Sequence, residues 1–246
     1  MKILLLDIET APNLVHVWGL WQQNVGLPQI VKSGYTMCWS AKWYGDNEIF
    51  HMNIFESTQK AMLKEIHRLL CEADAVVHYN GTSFDIPTLN KEFIKHDFLP
   101  PSPYKQIDLL RTARSQFRFT SNKLDYVAQF LGLGAKTRHR GHELWIACMA
   151  KDKDAWEEMT EYNINDVVLL EAVYDKLKPW IKNHPNRNLY SGGTHVCPNC
   201  GGEDLQKRGT SYTISGEYQR YCCKTCGGWS RNTKKNKESV SIRGAA

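Results

Sequence analysis

Hydrophobic positions along the chain change period several times, and each change marks an element. Ile3 to Leu6 is an unbroken apolar run, the pattern of a strand covered on both faces, and it predicts a first strand over residues 2–9. Residues 11–33 lose the pattern, with Pro12, Gly19, Gly26 and Pro28, and read as a long loop or insertion carrying Trp18 and Trp21. A second strand is expected over residues 35–44. A turn at Gly45-Asp46-Asn47 leads into a third over 48–52. Met62, Leu63, Ile66, Leu69 and Leu70 then recur at helical spacing and predict an amphipathic helix over 58–70.

From there strands and helices alternate. Ala75 to His78 is a short apolar strand. Asp85 to Phe93 starts a helix in which Pro87 fits the first turn. After Pro100, Pro101 and Pro103, a strand is expected at 106–109 and a helix at about 110–118. Another helix spans 122–131, stopped by Gly132 and Gly134. A long helix covers 152–177, with a break expected near Thr160 and an end at Pro179. Three early strands followed by alternation predict an α/β fold, a mixed sheet covered by helices. The expected divisions are a body over 1–182, a linker over 183–193, a small module over 194–232 and a disordered basic tail over 233–246.

Charge sharpens that division. The 246 residues carry 31 basic and 26 acidic side chains, net +5. From Ser191 onward there are nine Lys/Arg and four acids, so the whole excess lies there and the first 190 residues are neutral, with 22 of each sign. A basic end suggests an anionic partner, or only a solubilising tail. No apolar run reaches the roughly 18 residues that cross a bilayer. Asp7 and Glu9 also interrupt the N-terminal apolar stretch too early for a signal peptide. An intracellular protein without membrane attachment is the expectation.

Eight cysteines are present, five of them in the last 50 residues. Cys38, Cys71 and Cys148 are isolated in or beside apolar segments and read as buried thiols. Cys197-Pro198-Asn199-Cys200 and Cys223-Lys224-Thr225-Cys226 are two C-x₂-C units, each followed by two glycines. Four thiolates so spaced favour one structural Zn²⁺. A disulfide pair or an iron–sulfur cluster are the weaker alternatives. Cys222 adjoins Cys223 and competes with it as fourth ligand. The module resembles a zinc ribbon, with hairpin strands expected at 211–214 and 219–222. Tyr212, Tyr218, Tyr221 and Trp229 are candidate stacking surfaces for nucleic acid, and the same module is a candidate grip for a replication or repair protein.

Acids in the body stand in costly places. Asp7 and Glu9 end a buried strand, and its period of two points both to one face. Asp85 lies where a helix begins, and Asp166 sits among Val167, Leu169 and Leu170 with Tyr162 one turn earlier on the same face. Buried acids need a cation. Hard divalent ions take such oxygen ligands, and two ions close together can hold the attacking and leaving oxygens of a phosphodiester. The bland alternatives are a surface rim for Asp7 and Glu9, a helix cap for Asp85 and an exposed position for Asp166.

Asp7-Ile8-Glu9-Thr10, Asn80 to Pro87 and Tyr162-Asn163-Ile164-Asn165-Asp166 resemble, in order, the three motifs of the DEDD exonucleases, tyrosine subgroup, of the ribonuclease H-like fold. Ile107-Asp108-Leu109 and Lys123-Leu124-Asp125 are similar to the intervening region in the exonuclease domain of family B DNA polymerases. The resemblance spans about residues 1–180. It implies a 3′–5′ exonuclease with two Mg²⁺ or Mn²⁺ ions held by Asp7, Glu9, Asp85 and Asp166, and with Tyr162 orienting the attacking water. The expected substrate is single-stranded DNA, or RNA, and the product nucleoside 5′-monophosphates. Thr10, Asn80, Phe84, Arg111, Arg114 and Arg118 are candidate substrate contacts, the arginines because they fall at i, i+3 and i+7 of the expected helix. Asp108 is expected to support rather than ligate, and His139 and His142 are candidates for the substrate path. An endonuclease or structure-specific nuclease on the same scaffold, or a silent nucleic-acid-binding module, are the competing readings. No polymerase domain follows, so proofreading in the same chain is not expected.

Overall fold

The computed structural model describes residues 1–190, 195–214 and 216–236. Residues 191–193 of the expected linker and 237–246 of the expected tail lie outside the described residues. The chain divides into two compact units, one of Lys2–Tyr174 and one of Asp175–Ala246 with Met1.

The first unit is built on β1 (Ile3–Thr10), β4 (Thr36–Trp43), β5 (Ile49–Asn53), β6 (Ala75–His78) and β7 (Lys105–Asp108), with β2 (Leu14–Val15) and β3 (Ile30–Lys32) between the first two. The five-stranded sheet runs β5-β4-β1-β6-β7. β1 is its centre, antiparallel to β4 and parallel to β6. Its helices are α1 (Gln59–Glu72), α2 (Asp85–Lys95), α3 (Leu109–Gln116), α4 (Leu124–Phe130), α5 (His142–Met149) and α6 (Lys153–Leu177).

Strand alternation decides which helices cover which face. Leu4, Leu6 and Ile8 of β1 join Trp39 and Ala41 of β4 in one core with Met62, Leu63, Ile66, Leu69 and Leu70 of α1 and Leu89 and Phe93 of α2. Burying each such side chain contributes about 1.5–3 kcal/mol. The Trp39 indole N–H donates to the Met62 carbonyl at 3.0 Å, so its polar atom is satisfied inside that core. Residues one step out of phase look the other way. Cys38 of β4 packs with Leu144, Cys148, Trp156, Met159 and Tyr162 of α5 and α6. Asp7 and Glu9 share that phase.

The expected strands and helices of the body are present within a residue or two at most ends. Thr58 caps α1 by accepting from the Ala61 N–H at 3.2 Å. Three differences have physical reasons. α6 is unbroken at Thr160, whose hydroxyl hydrogen-bonds the His51 Nε2 at 3.2 Å instead of competing for its own backbone. The segment 11–33 contains the β2–β3 pair, whose strands are too short to show alternation. His142, expected in a loop, begins α5, where Leu144, Trp145, Ile146, Ala147 and Cys148 form an apolar run with no period to read.

In the second unit β8 (Leu205–Thr213), β9 (Gly216–Cys223) and β10 (Trp229–Arg231) form an antiparallel sheet in the order β10-β9-β8. The hairpin strands are longer than expected, and Gly216 starts β9 rather than sitting at the turn's centre. Among the described residues, no helix is long and apolar enough to cross a membrane.

Candidate metal and nucleic-acid site

The β1 period sets Asp7 opposite Ser40 and Glu9 opposite Cys38, on the side facing α6. One turn of α6 brings Tyr162, Asn163 and Asp166 to the same place. One ligand oxygen each from Asp7, Glu9 and Asp166 can lie within 4.8 Å of one another. Asp85 reaches the group from α2. Its Oδ1 accepts the Ile8 N–H at 3.3 Å, between the two β1 acids, and the helix places it at the favourable N-terminal end. The motif's glycine permits the tight turn between β6 and α2. A Cβ on Gly81 would stand 2.4 Å from the His78 Cγ.

The electrostatics are those of a site that wants cations. Burial and the charges of Glu9, Asp85 and Asp166 hold the Asp7 carboxyl well above the carboxylate range, against the opposing Lys136. Burial, with Asp166 and Asp85, pushes Glu9 up to about 8 although Lys136 pulls it down. Burial pushes Asp85 up to about 7, and the N–H groups of its own residue and Ile8 oppose it. Asp166 is raised by burial against Lys136 and Tyr162. Its Oδ1 is buried with no hydrogen-bond partner, an acceptor left for a cation or a donor. Three oxygen donors, a fourth alongside and an orphaned buried oxygen fit a hard divalent ion.

These shifts carry a sign for stability. Ordinary carboxyls titrate near 4. Folded Glu9 and Asp85 hold protons to about 8 and about 7, so the folded chain binds more protons than the unfolded one across that window. In a chelator, stability therefore falls as pH rises from about 5 to 8. We expect a Tm drop of about 5 °C or more, and Mg²⁺ or Mn²⁺ reverses it by binding the deprotonated acids. Calorimetric scans at pH 5.5 and 8, with and without metal, measure this.

Lys136 was not indicated by any sequence pattern, yet it is central. Its Nζ lies 2.5 Å from the Asp166 Oδ2 and 3.0 Å from the Tyr162 Oη. Desolvation lowers its pKa, but Asp166, Tyr162 and Asp7 outweigh this and hold it above the ordinary lysine range. Its backbone N–H donates to the Asp125 Oδ1 at 2.8 Å, so the Lys-Leu-Asp stretch serves to seat this lysine. Burial and the charges of Asp166 and Glu9 keep the Tyr162 phenol protonated. His139 packs edge-on against Tyr162 with ring centroids 4.8 Å apart.

A cavity of about 540 Å³ opens beside the acids, lined by Asp7, Tyr79, Asn80, Arg114, Lys123 and Lys136 among others. Asn80 adopts φ 71° and its N–H donates to the Asp108 Oδ1 at 3.0 Å. The same oxygen accepts the Leu110 N–H and caps α3, so Asp108 supports the cavity wall. Phe84 is 44% exposed just before α2, and Thr10 is half-buried opposite Thr36. The arginines do not form the expected stripe. α3 ends at Gln116 because Phe117 is extended, which puts Arg118 beyond the helix. Arg111 is exposed 4.0 Å from Asp108, and Arg114 is the member of the three that lines the cavity.

A model of the RNase H superfamily matches residues 4–178. The chain belongs to the RNase H superfamily. Among solved structures, the family B DNA polymerase from the hyperthermophilic archaeon Pyrobaculum calidifontis is similar at 17% identity and a TM-score of 0.55, over 72% of this chain and 24% of the polymerase. The RNase H superfamily chain thus spans about a quarter of that polymerase's length. No curated protein matches it in sequence. Superfamily membership supports a nuclease, a hydrolase whose substrate is nucleic acid.

The second unit of this RNase H superfamily member carries a separate cluster. Sγ atoms of Cys197, Cys200, Cys223 and Cys226 all lie within 4.8 Å of one another. Two matching loops build it. The Cys197 N–H donates to the Gly202 carbonyl at 2.8 Å, as Cys223 does to Gly228 at 2.9 Å. The Gly202 N–H donates to the Cys200 Sγ at 3.3 Å, as Gly228 does to Cys226 at 3.4 Å. Such bonds favour thiolate, and four thiolates in this shape fit a zinc ribbon. Cys222 stands outside the cluster, its Sγ near the Cys223 and Gly227 carbonyls. Of the four aromatic stacking candidates, Tyr218 and Tyr221 are buried, which leaves Tyr212 and Trp229 exposed.

Proposed function

We propose that the protein is a metal-dependent 3′–5′ exonuclease acting on single-stranded DNA, with RNA as the related substrate. The observation that carries this reading is the meeting of Asp7, Glu9 and Asp166, from the sheet's central strand and the last helix of the body, beside a cavity with basic lining. Asp7, Glu9, Asp85 and Asp166 would hold two Mg²⁺ or Mn²⁺ ions. Bound there, they supply positive charge to the phosphate and make water more acidic.

The chain's own residues do the rest. Tyr162, kept a neutral phenol, orients the water rather than removing its proton. Lys136 bridges Tyr162 and Asp166 and so fixes the phenol's direction. Arg114 and Lys123 hold backbone phosphates in the cavity, and Phe84 offers a face to the terminal base. Phosphoryl chemistry needs charge neutralisation and alignment more than a covalent nucleophile. One Zn²⁺ on Cys197, Cys200, Cys223 and Cys226 would hold the C-terminal unit, and the exposed Tyr212 and Trp229 give that unit a second nucleic-acid contact.

The test is a time course with 5′-labelled single-stranded DNA, RNA, duplex and circular single strands, in Mg²⁺ and in Mn²⁺. The expected result is a ladder shortening from the 3′ end, with circles untouched. Cleavage of circles would replace this reading with an endonuclease, and no cleavage of any substrate would replace it with a binding module.

A further inference from the structure

Behind Asp7 runs a line of buried and half-buried polar side chains that the proposed chemistry does not use. The Asn163 Nδ2 donates to the Asp7 Oδ2 at 2.7 Å, and the Ser40 Oγ donates to the Asn163 Oδ1 at 2.7 Å. The Ser40 Oγ also lies 2.9 Å from the His51 Nδ1. On the far side of the ring, the His51 Nε2 is 3.2 Å from the Thr160 Oγ1 and 3.4 Å from the Asn53 Nδ2. Ser40 and Asn163 have no solvent exposure. Polar groups buried so deeply cost stability unless they are hydrogen-bonded, and each of these is bonded to the next.

The direction of every proton in this line follows from one end. The Asn53 Oδ1 is committed to two backbone donors, the N–H groups of Phe55 at 3.1 Å and Glu56 at 2.8 Å. Its NH₂ therefore supplies the donors on that side, one to the Glu56 Oε2 and one to the His51 Nε2, each at 3.4 Å, so Nε2 accepts. Burial keeps the imidazole neutral against the pull of Glu56. A neutral ring that accepts at Nε2 carries its proton on Nδ1, so Nδ1 donates to Ser40. The Ser40 hydroxyl has a single proton, which then goes to the Asn163 Oδ1. That leaves the Asn163 NH₂ for Asp7. From the other end, an ionised Asp7 can only accept, which demands the same order. Both ends agree on one tautomer.

We propose that His51 is a positioning residue, acting through Ser40 and Asn163 in a one-way hydrogen-bond relay that holds the Asp7 carboxylate as an acceptor oriented for cation binding. The relay joins β5, β4 and α6 to β1 and touches no substrate. It rests on the nuclease reading for its catalytic consequence, though not for its geometry. Partners that orient a ligating side chain are worth about 10–100-fold in metal affinity.

The test pairs two substitutions with a spectroscopic reading. His51→Asn keeps an N–H donor at the δ position, whereas His51→Gln moves it to ε. The expected result for His51→Gln is a requirement for Mn²⁺ raised about 10-fold, with kcat lowered at limiting metal and KM for a short oligonucleotide unchanged; His51→Asn restores most of the metal affinity. In the wild-type protein, ¹⁵N NMR should show His51 protonated on Nδ1. Mn²⁺ binding unchanged in a folded His51→Gln, or a ring protonated on Nε2, would overturn the relay whether or not the protein cuts DNA. A wild-type protein that binds Mn²⁺ through the relay yet cleaves nothing would overturn the nuclease reading alone.

Discussion

Asp7→Asn is expected to abolish metal-dependent cleavage, by about a thousandfold or more, a loss of roughly 4 kcal/mol in transition-state stabilisation. The substitution is nearly isosteric. Its Oδ1 can still accept from Asn163, so the relay closes, but the negative charge that gathers cations with Glu9 and Asp166 is gone. The stability effect should run the other way. Wild-type Asp7 is a half-buried acid raised by desolvation and by three neighbouring carboxyls. Neutralising it relieves that repulsion, so in a chelator at pH 8 the variant melts no lower than wild type. Activity lost with Tm kept or raised identifies an electrostatic role. Activity and Tm falling together would show that Asp7 matters only for folding, and the two-ion reading would go.

Removing metal from the cysteine cluster should have the second largest effect, confined to the other unit. That unit offers little apolar core: apart from the cysteines, Leu177, Val196, Tyr218 and Tyr221 are its buried hydrophobic residues among those described. Structural zinc contributes on the order of 10 kcal/mol to comparable small modules. A strong chelator, or Cys223→Ser, should therefore unfold β8, β9 and β10, seen as a lost melting transition and exchange of their amides. Cys222→Ser should leave the unit folded, because its sulfur stands outside the cluster. Cleavage of a short oligonucleotide should persist once Mn²⁺ is restored. Loss of the chemical step would mean that the C-terminal unit belongs to the catalytic centre.

Much of the body was legible in the sequence because its signals are local. An alternating strand puts Asp7 and Glu9 on one side wherever it lies in a sheet, and a four-residue step puts Tyr162 over Asp166. The C-x₂-C pairs need no tertiary information. What escaped depends on contacts between distant segments. Lys136 sits in an aperiodic stretch between Gly132 and Gly141, and only the distant Asp125 carboxylate shows where its amide is anchored. Ser40 looks like any strand serine until β4 pairs with β1 and α6 crosses behind them. Spacing alone puts Arg118 on a helix, and a single extended residue, Phe117, takes it off. The chain reads as helix propensity up to that point, and the stacking of Phe117 on Phe119, with ring centroids 5.1 Å apart, goes with the extended continuation.

The third carboxylate lies on the last helix of the body, while the first two lie on its first strand. During synthesis the chain therefore leaves the ribosome with Asp7 and Glu9 long before Asp166 exists, and β1 waits at the centre of a sheet whose neighbours have yet to be made. A copy abandoned before α6 lacks the oxygen that completes the cluster. On the proposed function, an unfinished or prematurely terminated product would therefore lack a complete metal site, with no inhibitor required.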